Sequence, residues 1–358
     1  MIALPTFGFR SYRRQTVDFC RQVAAATTFG SYRRQTVGFY RQVAAATLAC
    51  SLLLSLGTPA VLAEGLLDRL HVERIDAPRV SSDGVWTDVI IDGDWRIERH
   101  AILGYVRLLD PQERRLAFGD MSQCYGELQR WRACGEVPPM ASHVVICLHG
   151  WRGSRTSMQP MGQYLTEQGG LSVINFGYAS VHGPVQKQAY ELESVIRNLQ
   201  GVRQVSFVAH SLGNIVVRNL LYKLQLQGHA PPLTFERMVM IAPPNHGAQM
   251  ADNVLDRRLL RLILGEAVEQ LAPQERWPTL EKQLAVPNFE FGVLVGGRGN
   301  DIGYLPRIPG DDDGLLSIET QRLEGAAGFK QIGGLHQFMP QDPAVQSATL
   351  SFLINGKF

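Results

Sequence analysis

The chain carries almost no net charge, with 35 Lys and Arg against 33 Asp and Glu in 358 residues. No long basic run occurs in its globular part, so nothing in the charge pattern points to a nucleic-acid partner. Cysteine is scarce too: there are five, and Cys20 and Cys50 fall in the first 63 positions. Of the remaining three, Cys124 and Cys134 are separated by the helical pattern GELQRWRA, which would hold them roughly 15 Å apart. A bridge between them requires the helix to end early. Cys147 lies in an apolar run and reads as a buried thiol. A composition of 45% hydrophobic and 19% charged residues is ordinary for a globular protein, and one main domain with appendages is expected.

What is present begins with a biased amino-terminal region. Arg-rich stretches lead into the uncharged segment Val43 to Ala63. Val61 and Ala63 place small residues where an export peptidase would cut before Glu64. Residues 1–63 are therefore expected to be an export signal, with the mature protein periplasmic or secreted. The alternative is a membrane anchor, since 21 uncharged residues are long enough to span a bilayer. Within this region Ser11 to Thr27 recurs almost unchanged as Ser31 to Thr47. Two copies are too few for a solenoid, which leaves a duplicated leader. Arg33 and Arg34 resemble a twin-arginine signal only weakly.

Residues 64–140 read as a small β-rich lead-in subdomain. Strand-like alternation spans Val85 to Ile91 and Ala101 to Leu109, and a short helix covers Met121 to Ala133. No chemistry is legible there. Pro138 and Pro139 mark the passage to residues 141–358, where apolar runs alternate with helical patterns. The runs are His143 to Leu148, Leu171 to Phe176, Val205 to Ala209, Met238 to Ile241, Phe291 to Val295 and Phe329 to Ile332. Such alternation predicts an α/β domain with a mostly parallel sheet covered on both faces. Val185, Ala189, Leu192, Ile196 and Leu199 share one face of an intervening crossover helix.

The most informative string is Phe207-Val208-Ala209-His210-Ser211-Leu212-Gly213, followed by a helical pattern from Asn214 to Leu226. Small residues two before and two after a serine are what a very tight strand-to-helix turn requires. Such a turn lifts the Ser211 hydroxyl clear of the sheet and directs the next amide, that of Leu212, toward a developing oxyanion. The competing reading is an ordinary serine helix cap.

A nucleophilic serine needs a base, and the base an orienting acid. His336, in Gly333-Gly334-Leu335-His336 after the last predicted strand, is the leading base, reached through a flexible turn. His246 is the runner-up. His149 and His210 neighbour the motifs and are expected to brace backbone. Asp313, in Asp311-Asp312-Asp313-Gly314, is the leading acid, and Asp301 its rival. The triple aspartate also fits a solvated turn or a calcium site. A second oxyanion donor is expected at Trp151, because Gly150 in Leu148-His149-Gly150-Trp151 lets the chain bend.

These residues resemble the α/β-hydrolase family, especially bacterial esterases and triacylglycerol lipases with an Ala-His-Ser-x-Gly elbow. The likeness covers Ser142 to Phe358 and rests on Leu148-His149-Gly150, Ala209 to Gly213, Asp313-Gly314 and His336. Ala242 to Gly247 is similar to the Pro-x-x-Gly segment of such lipases. The resemblance implies Ser211 as nucleophile, Asp313 as acid and His336 as base, acting on carboxylic esters without a cofactor or metal. Ala209 stands where Gly is more frequent.

Residues 246–289 form an insertion. Met250, Val254, Leu255, Leu259, Leu262 and Ile263 recur near helical spacing, as in a lid over an acyl pocket or a plain amphipathic helix packed on the sheet. The expected partner is an acyl-ester or lipid substrate, with contact to a lipid surface left open and oligomeric state undetermined. Amide or thioester hydrolysis and acyl transfer remain alternatives on the same triad. A silent lipid- or protein-binding homologue remains the alternative outside enzymes.

Overall fold

Six strands form one parallel sheet, the central ones with apolar, buried middles. The computed structural model describes residues 84–228, 231–248, 265–272 and 276–358. The expected export signal, the repeated Ser11 to Thr27 segment and the Met250 to Ile263 stripe lie outside the described residues. The main-sheet strands are β5 (His143–Leu148), β6 (Val173–Phe176), β7 (Gln204–His210), β8 (Thr234–Ile241), β9 (Glu290–Val295) and β10 (Gly328–Gln331). Their order is β10-β9-β8-β7-β5-β6, and every neighbouring pair is parallel.

The two faces of each strand feed two separate cores. Val144, Ile146 and Leu148 of β5 join one core with Phe207, Met240 and Val293, while Val145 and Cys147 join the other with Val208, Val239 and Leu294. Each fully buried side chain of this kind contributes about 1.5–3 kcal/mol relative to exposure. Helices α3 (Val185–Asn198) and α4 (Leu212–Gln227) supply Leu192, Val195, Val216 and Leu220 to the first core. Helices α2 (Gln159–Gly169) and α5 (Pro343–Asn355) supply Met161, Leu165, Val345 and Phe352 to the second. Burial on both faces is why these strands read as continuous apolar runs rather than alternating ones. Val185, Ala189, Leu192, Ile196 and Leu199 are all buried, as their shared face requires.

The chain passes from β5 outward to β6, then returns across β5 to β7. Connections leaving the carboxyl ends of β5 and β7 therefore diverge, and a crevice opens at such a switch of direction. This sheet and its covering helices have the α/β-hydrolase arrangement, and the elbow stands at that switch.

Ahead of the main sheet lies an antiparallel meander of β1 (Trp86–Asp92), β2 (Trp95–His100), β3 (Val106–Leu109) and β4 (Arg115–Gly119). Helix α1 (Met121–Ala133) covers it with Cys124 and Leu128 against Trp95, Ile97 and Leu108. Asp120 caps α1 by accepting from Gln123 N at 2.8 Å, and Gln123 Oε1 accepts back from Asp120 N. The meander is continuous with the rest: Ile91 enters the first core, and Ser194 Oγ of α3 donates to Val89 O at 3.1 Å.

One strand expectation needs correction. Ala101 to Leu109 is not a single strand, because Ala101 to Leu103 forms a turn. His100 Nδ1 accepts from Ile102 N and Leu103 N, and Gly104 closes the turn at φ 75°. Cys124 and Cys147 are both buried free thiols, so Cys124 makes no bridge to Cys134. Burial pushes the Cys147 thiol up to about 12. Among the described residues no helix is long and apolar enough to cross a membrane.

Of the insertion, the described parts are packed. Ala267, Leu271, Trp277, Leu280 and Leu284 are buried against Val185, Leu212 and Ile215, with Trp151 and Ala248 at the margin.

Candidate active site

Ser211 follows directly on β7 and precedes the first residue of α4. Its backbone sits at φ 52° and ψ −122°, a region costly for any residue with a β-carbon. Hydrogen bonds to Ile241 and Asn214 hold it there. Ser211 N donates to Ile241 O at 2.9 Å, and Asn214 Nδ2 donates to Ser211 O at 3.0 Å and Ile241 O at 3.2 Å. The need for small flanking residues is visible at Gly213, where a β-carbon would lie 2.8 Å from His149 O and 2.9 Å from Leu148 Cβ. Ala209 is fully buried, opposite Leu148 of β5 and Met240 of β8. Leu212, as the first helical residue, has no carbonyl one turn back to accept its N–H.

The hydroxyl of Ser211 lies 2.9 Å from His336 Nε2, and Asp313 Oδ2 lies 2.8 Å from His336 Nδ1. With Nδ1 donating to the carboxylate, Nε2 is left to accept from the serine. Asp313 is fully buried and His336 is 8% exposed. Asp313 Oδ1 accepts from Leu315 N at 3.0 Å and Leu316 N at 2.8 Å, so its carboxylate is solvated by the turn that Gly314 makes at φ 89°. The glycine turn before His336 is hydrogen-bonded to the neighbouring strand end. Gly297 N donates to Gly334 O at 3.2 Å and Gly334 N to Gly297 O at 3.1 Å, which ties the ends of β9 and β10 together.

Asp311 and Asp312 serve a different purpose. Asp311 accepts from Arg298 N, Gly299 N, Asp312 N and Gln331 Nε2, and these donors hold its carboxyl below the usual range despite the opposing effect of burial. Asp312 is buried and accepts from Leu305 N and Gly314 N. Both therefore pin the 298–305 loop. Asp301 is an exposed residue of that loop, and His246 is exposed with Nδ1 3.7 Å from Glu281 Oε1. Neither takes part in the Ser211–His336–Asp313 line. Among the described residues no group of three or more His, Cys, Asp or Glu is placed to hold a metal ion.

The loop after β5 closes on the elbow. A β-carbon on Gly150 would fall 3.0 Å from Ser211 Cβ and 3.1 Å from His210 Nδ1, so the backbone that leads into Trp151 packs directly against the serine. His210 and His149 act as backbone braces here. His210 Nε2 donates to His336 O at 3.0 Å, and His149 Nδ1 donates to Gly150 O at 2.8 Å. Burial drives His149 down to about 4; burial, then the neighbouring His336, drives His210 down to about 3. Both imidazoles are thus neutral donors at neutral pH.

Sequence reasoning missed several supporting side chains. Gln321 Nε2 donates to Asp313 Oδ2 at 3.2 Å, the oxygen that also meets His336. Behind it, Asn245 Nδ2 donates to Gln321 O at 2.9 Å, and Arg218 Nη1 donates to Asn245 Oδ1 at 3.1 Å. Arg218 is buried among carbonyl groups, and desolvation lowers it to about 10. Tyr178 stacks on His149 at a centroid distance of 4.2 Å and donates from Oη to His149 O at 2.6 Å. None of these has a local sequence signal: Arg218 lies in mid-helix and Gln321 at the end of a short helix.

A family model described as a domain of unknown function, DUF7379, matches residues 136–285, a span that contains Ser211 and stops before Asp313 and His336. No curated protein matches the chain. Among solved structures, the chain is similar to the lin2722 gene product of Listeria innocua at 16% identity and a TM-score of 0.45, covering 61% of this chain and 96% of that one. It is similar to the mature lipase BlEst2 of Bacillus licheniformis at 19% identity and a TM-score of 0.44, covering 61% and 92%. The phospholipase PlaB of Legionella pneumophila matches at 16% identity and a TM-score of 0.42, covering 60% and 57%.

Proposed function

We propose that the chain is a serine hydrolase of carboxylic esters in which Ser211 is the nucleophile, His336 the base and Asp313 the orienting acid. The observation that carries this reading is the unbroken line from a strained, partly exposed Ser211 through His336, at 2.9 Å, to a buried Asp313, at 2.8 Å. A serine used only as a helix cap would hydrogen-bond its own helix, whereas no side-chain cap bond is made by Ser211.

In the proposed reaction, Ser211 Oγ attacks the acyl carbonyl carbon while His336 Nε2 takes the hydroxyl proton. The resulting oxyanion is held by the amides of Leu212 and Trp151. Collapse breaks the bond to the alkoxy oxygen, and His336 returns the proton to the departing alcohol. Water then attacks the acyl-enzyme, giving its proton to His336, and the acid leaves as Ser211 regains its proton. Asp313 keeps the imidazole in the productive tautomer throughout. Amide, thioester or acyl-transfer chemistry would use the same atoms, and only the acyl and leaving-group pockets would differ.

The test is hydrolysis of a panel of p-nitrophenyl esters graded from acetate to palmitate, with Ser211→Ala as control. Turnover of at least one ester, lost in Ser211→Ala, is the expected result. No turnover of any ester by folded protein would refute the ester assignment.

A further inference from the structure

The antiparallel meander lies outside the resemblance, yet its first strand reaches the oxyanion side of the site through one connected set of bonds. The segment after β6, Gly177 to Ser180, is docked on β1. Asp88 N donates to Gly177 O at 2.9 Å, Gly177 N donates to Asp88 Oδ2 at 2.6 Å, and Ala179 N donates to Thr87 Oγ1 at 3.0 Å. Thr87 and Asp88 are both fully buried, and Asp88 is paired with Arg96 of β2 at 2.6 Å.

The same four-residue segment then grips the loop after β5 at two points. Tyr178 Oη donates to His149 O at 2.6 Å, and Ser180 Oγ accepts from Arg152 N at 3.0 Å. These two contacts flank Gly150 and Trp151. Arg152 needs such a restraint, because its φ is 55°, in the left-handed region. Burial pushes the Tyr178 phenol up, so it stays a donor at any working pH. A third tie follows: Arg155 is bonded to Glu98 of β2 and, at 2.8 Å, to Glu113 in the β3–β4 turn.

We infer that the meander positions the oxyanion loop, with Thr87 and Asp88 fixing the Gly177 to Ser180 segment, and Tyr178 and Ser180 fixing the backbone on either side of Gly150 and Trp151. The inference rests on the serine-hydrolase reading and deepens it, because the fixed backbone is the one that would carry the second oxyanion donor. Tyr178 and Thr87 are positioning residues, since neither touches the reacting atoms. An oxyanion donor displaced by a fraction of an ångström weakens transition-state binding while leaving ground-state binding nearly intact.

The test uses the full chain, with kcat expressed per serine titrated by a fluorophosphonate so that unfolded molecules do not count. Tyr178→Phe keeps the ring stacked on His149 and removes only the hydroxyl. Thr87→Val removes the acceptor for Ala179 N, and Thr87→Ser restores it. Each of the first two is expected to lower kcat per site by about 5- to 50-fold with KM within about twofold, and Thr87→Ser to recover most of the rate. Unchanged kcat in either Tyr178→Phe or Thr87→Val, with the parent chain labelled and active, would overturn the inference and leave the hydrolase reading standing. Failure of the parent chain itself to label or turn over an ester would remove that reading, and this inference with it.

Discussion

His336 and Asp313 are joined twice: the imidazole Nδ1 meets Asp313 Oδ2 at 2.8 Å, and the backbone N–H of His336 donates to Asp313 O at 2.8 Å. The second bond fixes the distance between two chain segments that follow different strands. It does not depend on the carboxylate, so Asp313 can be altered without releasing the loop.

Asp313→Asn is therefore expected to fold with little change in melting temperature and to lose about 10³- to 10⁴-fold in kcat, because the amide stabilises the wrong imidazole tautomer. Asp301→Asn should keep nearly full rate, its side chain being exposed and away from His336. Steady-state kinetics on the two purified variants check this. The reverse pattern would assign the acid to Asp301.

Gly213→Ala and Gly126→Ala should move stability in opposite directions. A β-carbon at Gly213 would press on His149 O at 2.8 Å, whereas one at Gly126, inside α1, meets nothing within 4 Å. The first should cost about 1–3 kcal/mol and impair catalysis by pushing on the loop that carries Gly150. The second should add about 0.5–1 kcal/mol through helix propensity. Urea denaturation of both variants measures the difference.

His149 and His210 should make the protein lose stability as the pH falls below neutral. His149 and His210 are held at about 4 and about 3 in the folded state, both chiefly by burial, against about 6.5 unfolded. Between these limits the unfolded chain binds more protons than the folded one, so stability falls as pH drops below about 6.5. Each residue should remove a few kcal/mol by about pH 4. Asp88 and Glu191, raised by burial, work in the opposite sense. Unfolding free energies measured from pH 7 to 4.5, in the parent and in His149→Gln, should show a slope that the variant reduces. Identical slopes in the parent and His149→Gln would contradict burial of a neutral imidazole at His149.

The six main strands and the elbow were legible because their signals are local. Runs such as Val144 to Leu148 are apolar on both faces, and Ala209 and Gly213 flank Ser211 in the sequence itself. Strand β2 was not legible, since its WRIERH pattern is polar. Glu98 is buried there only because Arg107 and Arg155, 9 and 57 residues away, meet it. The three adjacent aspartates differ in their surroundings rather than in their type, and those surroundings are amides from Arg298, Leu305 and Leu316. Tyr178 carries no local signal for its role, because its link to His149 O depends on how β5 and β6 pair.

The most direct test of the proposed chemistry is fluorophosphonate labelling of the folded full-length chain, followed by peptide mass spectrometry. A phosphonylated Ser211, absent in Ser211→Ala and strongly reduced when His336 is replaced by Ala, is the expected result. A folded chain that takes no label, or takes it at another serine, would contradict Ser211 as the nucleophile.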